Sequence, residues 1–220
     1  FGAADPQISR VQAILRDRAL PRLTEAAVRL HTAASNPFLF TVTPHMLGDD
    51  DADAFEIDNT DLLALTAACE LLASACHVAV AYDLNFAAYD SASLYTAVQQ
   101  GSPWLKFASG GAGHMGNAGT SLSDALVDLD AAIASLKAET DPQDDDVIRR
   151  GPGDVSIADL DSLHTYVGHV QSSMNTGFSL TADWDSDGLK TPLTIRLGQF
   201  FANPIPDWKD AVPGYTASPV

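Results

Sequence analysis

The chain has 220 residues, 12 Lys+Arg against 29 Asp+Glu, a formal net charge of −17 and 46% hydrophobic residues. So large an apolar fraction excludes a disordered polyanion, and the length suits one sizeable domain or at most two small ones. The charge excludes nucleic acid as a partner, because nothing here neutralises a run of phosphates, and it disfavours docking on an anionic leaflet.

Asp5-Pro6 is an N-cap followed by Pro at the first helical position. Ile8, Val11 and Leu15 form an apolar stripe, Pro21 breaks or kinks the helix, and Leu23, Ala27 and Leu30 continue it towards Asn36-Pro37. Phe38 to Thr43 alternates like a short strand, and Phe55-Glu56-Ile57 like a second. Between Leu30 and Leu105 there is no Lys or Arg, and seven acids fall between Asp49 and Asp61. That acidic stretch is a solvated loop, a docking surface for a basic partner, or a calcium-ligating segment.

Asn59 or Thr60 caps a long helix running to about Tyr82. Its length would cross a bilayer, but Glu70 near its middle and acidic flanks without Lys or Arg favour a central helix of a globule. Burial on most of its circumference is expected, so Leu71→Ala would cost about 2–5 kcal/mol. Cys69 and Cys76 share a face about 10 Å apart, too far to bridge, and are expected as buried free thiols.

Ser91 to Gln100 suggests a short helix, and Ser102-Pro103 starts another through Trp104 and Phe107. The stretch from Ser109 to Gly119 is expected as a glycine-rich interhelical loop. Ser121 to Glu139 and Ser156 to Met174 are amphipathic helices, the second opening on a Ser156/Asp159 capping pair. Two short strands, from Phe178 and from Leu193, form a hairpin. Residues 203–220 make an extended proline-rich tail, with Phe200, Phe201 and Trp208 available to pack it on the body. The expected fold is mainly α: a single domain over residues 1–220, a helical bundle of about five to seven helices with short β-hairpin pieces near the C-terminus.

Gly111, Gly113 and Gly116 spell G-x-G-x-x-G, but a proline-led, non-β-branched segment precedes them where a dinucleotide fold needs a strand. Asp183, Asp185, Asp187 and Gly188 match half a calcium loop, yet position 12 is Thr194, so an acidic turn is the better reading. The histidines lack H-E-x-x-H, His164 lies beside an apolar stripe as core histidines do, and no zinc spacing or nucleophile elbow occurs. No catalytic residue, metal or cofactor is expected. Tyr82, Phe86, Tyr89, Tyr95, Trp104 and Phe107 crowd one stretch just before Met115. They fill an irregular core or line an apolar pocket. The pocket reading makes these six and Met115 the ligand-binding set, for a flat neutral molecule.

The segments Tyr82–Phe86 (YDLNF), Leu193–Trp208 (LTIRLGQFFANPIPDW) and Val212–Tyr215 (VPGY) resemble helical extracytoplasmic proteins of Gram-negative bacteria. More narrowly, the chain resembles the helical-bundle, tetratricopeptide-like component of bacterial sterol transport systems, although a regular 34-residue repeat is absent. The resemblance implies an apolar ligand, a sterol or other lipid, and no catalysis. It also implies a periplasmic location, with an outer-membrane anchor and a periplasmic carrier or transporter as partner. A chain opening on Phe1 fits removal of a leader peptide. The alternative is a non-enzymatic scaffold or adaptor whose acidic surface binds a protein partner.

Overall fold

A computed structural model describes residues 6–49, 51–85, 104–140, 146–149, 155–182 and 190–211. The helices are α1 (Pro6–Ile14), α2 (Leu20–Ala34), α3 (Pro44–Leu47), α4 (Asn59–Ala81), α5 (Gly111–Ala138), α6 (Ile157–Asn175) and α7 (Leu197–Ala202). The strands are β1 (Leu39–Val42), β2 (Phe55–Asp58), β3 (Phe178–Ala182) and β4 (Thr191–Ile195). The fold is mainly α, with β1–β2 and β3–β4 as two separate antiparallel pairs.

Pro21 acts as its chemistry requires. It lacks an N–H and its ring crowds the carbonyl four residues back. The chain answers with a π-turn over Leu15–Ala19, closed by Leu20 N–H to the Leu15 carbonyl, and then resumes as α2. Capping boxes open two of the long helices. Asp58 pairs with Asp61 at α4, one residue before the expected cap, and Ser156 pairs with Asp159 at α6.

The centre of the molecule is α4, packed against both α2 and α5. Ala73 and Val80 meet Leu20, Leu15 and Leu23, while Ser74 Oγ donates to the Ala118 carbonyl at 2.9 Å. A second core lies between α5 and α6, where Leu126, Ile133 and Leu136 bury against Leu160 and Val167. Each such side chain contributes about 1.5–3 kcal/mol on leaving water.

Several expectations are overturned. The glycine-rich stretch is helical: α5 starts at Gly111, ten residues before the expected Ser121. Glycine is used here for close approach. A Cβ at Gly111 would collide with the Ala81 carbonyl and the Phe107 ring, and one at Gly119 would lie 2.7 Å from Phe201 Cβ. Trp104 to Phe107 is extended chain and turn instead of helix, because its backbone pairs with Tyr82–Asp83 and with Asp207. Phe200 and Phe201 sit on α7, a helix not expected between the strand from Leu193 and the tail. Cys69 and Cys76 are free but only half-buried.

Leu71 is 41% exposed, against the expectation of burial. Helices α2 and α5 occupy one side of α4. The residues at 3–4 spacing on the far side, Leu65, Ala68, Leu72 and Ala75, are exposed with it. Among the described residues α4 is the one helix long and apolar enough to cross a bilayer. Leu71→Ala is therefore expected to cost about 1 kcal/mol or less in urea unfolding. A loss above about 2 kcal/mol, the level of a buried leucine, would show that this face is covered.

Candidate functional site

The fold brings three of the sequence-predicted ligand residues together. Tyr82 ends α4, Phe107 pairs with it across a β-bridge, and Met115 reaches them from the second turn of α5. Tyr82 and Met115 are buried at 3% and 0% exposure. The Tyr82 ring lies 5.0 Å from Phe107 and 6.0 Å from Trp208, and its hydroxyl donates to the Ile205 carbonyl at 3.0 Å. Phe200, Phe201 and Trp208 complete the cluster, as residues available to pack the tail. Trp104 is half-buried, and its carbonyl accepts from Lys209 Nζ at 2.6 Å. Phe86, Tyr89 and Tyr95 lie outside the described residues, as do the expected helix from Ser91 to Gln100 and the Asp183–Gly188 turn.

A different site lies between α2, α4 and α5. Ala27 and Ala73, both buried, form a low floor that leaves two adjoining depressions of about 350 and 460 Å³. Both depressions are lined by Glu70 of α4 and Asp124 of α5. Val28 walls them on the α2 side. Asp128, one turn after Asp124, is 4% exposed and accepts from the His31 ring, whose Nδ1 is 3.2 Å away. At the other end stand Thr24, Asn117, Thr120, Ser121 and His77. His77 Nδ1 is 3.0 Å from His114 Nδ1.

Glu70 carries the electrostatic tension of this groove. Burial raises its pKa to about 7, the Asp128 and Asp124 charges add to the rise, and His31 opposes it. Its Oε2 is buried and, among the described residues, has no hydrogen-bond partner. A carboxyl in that state wants a donor. The groove is thus chemically suited to an ammonium or guanidinium group, which would donate to Oε2 and offset three neighbouring carboxylates. Among the described residues no group of three or more His, Cys, Asp or Glu is placed to hold a metal ion.

Sequence signals for this groove existed. Glu70, Ala73 and His77 share a helix face at i, i+3 and i+7, and Asp124 with Asp128 is an i, i+4 like-charge pair that repels unless something lies between or beside it. What stayed hidden was that α2 contributes the opposite wall. His164 is a further correction. It is not a core histidine but an exposed one, 2.6 Å from Asp130, because its flank of α6 turns towards solvent beside α5. Comparison with known proteins finds no matching family model, no matching curated protein and no matching solved structure.

Proposed function

We propose that the chain is a binding protein of the adaptor kind, not an enzyme, and that the α2–α4–α5 groove receives a lysine or arginine side chain of a basic protein partner. The observation that carries this reading is the buried Oε2 of Glu70, without a hydrogen-bond partner among the described residues, beside Asp124 and Asp128. A cationic side chain relieves the unpaired oxygen and the repulsion together, while its apolar stem lies along Ala27, Val28 and Ala73. The net charge of −17 steers such a partner at low salt. Calorimetric titration with a lysine-rich peptide is expected to give saturable binding that weakens as salt rises. Glu70→Gln should lower the affinity about five- to tenfold, which is about 1–1.4 kcal/mol. Equal binding by Glu70→Gln and wild type would place the contact elsewhere and overturn the assignment.

A second reading follows the resemblance: a periplasmic, outer-membrane-side sterol or lipid carrier working with a periplasmic carrier or transporter. What favours it is the convergence of Tyr82, Phe107 and Met115 in one apolar cluster. Saturable sterol binding that weakens in Trp104→Ala would support it. Absence of binding to any sterol or fatty acid would remove it.

A further inference from the structure

The pair His77–His114 joins the last third of α4 to the first turn of α5. We propose that it is an acid-sensitive latch, holding the glycine-rich start of α5 on α4 at neutral pH and releasing it in mild acid. This inference does not depend on what the groove binds.

The geometry sets the proton count. Two Nδ1 atoms 3.0 Å apart hold one hydrogen between them. With both rings neutral, one is the Nδ1–H tautomer and the other carries its proton on Nε2. A first added proton makes the donor ring an imidazolium and the bond charge-assisted. A second added proton leaves two N–H groups pointing at each other. The bond is lost, and two cations face each other with ring centroids 5.2 Å apart.

The segment being held has little helical stability of its own. Gly111, Gly113, Gly116 and Gly119 fall within nine residues, and Gly110 at the N-cap supplies no side-chain cap. Tertiary contacts hold it instead: the histidine pair, the Ser74 bond to the Ala118 carbonyl, and Met115 in its cluster. The rest of α5 is anchored through Leu126, Ile133 and Leu136. Local opening is therefore expected at the start of α5 while the rest of the helix stays closed.

The surrounding charges leave the pair in control. On α4 the next ionisable group along the groove is Glu70, and on α5 it is Asp124, beyond Asn117 and Thr120. Helix α2 faces the pair with Thr24 and Ala27, its His31 lying at the far end beside Asp128. From α1, Gln12 donates to the Ala79 and Tyr82 carbonyls. In the π-turn Arg16 and Asp17 pair with each other in solvent, as exposed as Arg18. Glu56 and Asp58 of β2 lie at the opposite end of α4. Burial and then the His114 charge lower the pKa of His77 below 6.5. The sign follows: the folded state resists a proton that the unfolded chain accepts, so stability is full above 6.5 and falls as the pH drops below it. Glu70 acts in the opposite sense, its raised pKa favouring the folded state as pH falls.

Hydrogen exchange at about pH 7.5 and about pH 5.5, corrected for intrinsic rates, brackets the imidazole range. Protection over residues 111–119 is expected to fall about tenfold in acid relative to residues 122–138. In His114→Gln and His77→Gln that acid-specific fall should disappear. An unchanged ratio in wild type, or a fall that persists in both variants, would overturn the latch. Imidazole NMR titration of the wild type keeps the test open if the variants unfold: the His77 ring is expected to take up its proton below 6.5, and protonation of His77 at the ordinary value would overturn the latch equally.

Discussion

Lys209→Met is expected to lower stability by about 3–5 kcal/mol, the cost of breaking a buried ion pair from one side. Lys209 lies in a 3₁₀ turn, and its side chain is 2% exposed. Its Nζ sits 2.8 Å from Asp207 Oδ1 and donates to the Trp104 carbonyl at 2.6 Å. The surrounding backbone is stitched to the same place, with Phe107 N–H on the Pro206 carbonyl and Trp208 N–H on the Leu105 carbonyl. Methionine keeps the length and the apolar stem, so packing is largely preserved and the lost term is charge. Asp207, 16% exposed, would retain Lys106 at 3.6 Å and the backbone N–H of residue 209 at 3.1 Å, but not its close buried cation. Urea unfolding should show the loss as a shifted midpoint with an unchanged slope. Removing both partners, as Asp207→Ala with Lys209→Met, should recover part of it, because neither charge is then stranded. A single-variant loss below about 1 kcal/mol, the range of a surface pair, would mean that Lys209 is solvated.

That cluster also marks where a sequence stops being informative. Ser156 with Asp159, the alternation at Phe38–Thr43 and the hairpin around Phe178 and Leu193 were legible because the determining residues are neighbours in the chain. The extended path of Trp104 to Phe107 is not legible locally because its partners are distant, Tyr82–Asp83 across an intervening segment and Asp207 about a hundred residues away, and no local pattern records those pairings. The run from Gly111 to Gly119 looked like a loop on intrinsic propensity. It is helix because Ala81, Phe107 and Phe201 press against it where a Cβ would not fit. Leu71 shows the limit of hydrophobicity itself: it tells which residues gain from burial but not on which side the neighbouring helices settle. The groove was hidden for a related reason. Its floor is two alanines and its acids come from two helices, and only packing brings them beside His31.

Glu70→Gln is expected to stabilise the protein by about 2 kcal/mol at pH 8 and to be nearly neutral at pH 4. The pKa of Glu70 rises from 4.5 to about 7, with burial as the first cause and the Asp128 and Asp124 charges next. Taken whole, that difference corresponds to about 3.4 kcal/mol at roughly 1.36 kcal/mol per unit, and partial solvent contact of the half-buried side chain reduces it to about 2. The sign is fixed by linkage. Below 4.5 folded and unfolded chains both carry the proton and nothing is lost. As pH rises towards 7 the unfolded chain ionises freely while the folded one resists, so stability declines through that window and levels off above it. Glutamine imitates the protonated side chain and escapes the decline. Thermal unfolding from acid to pH 8 should therefore give two curves that meet near pH 4 and diverge by about 4–8 °C at pH 8. Curves separated equally at every pH would mean that packing, not ionisation, sets the difference. The same substitution is expected to weaken binding of a lysine-rich peptide. Stability gained where binding is lost is the pattern expected of a strained charge kept for a ligand. A variant that lost both would show Glu70 to be a structural residue, and the groove would lose its claim to a partner.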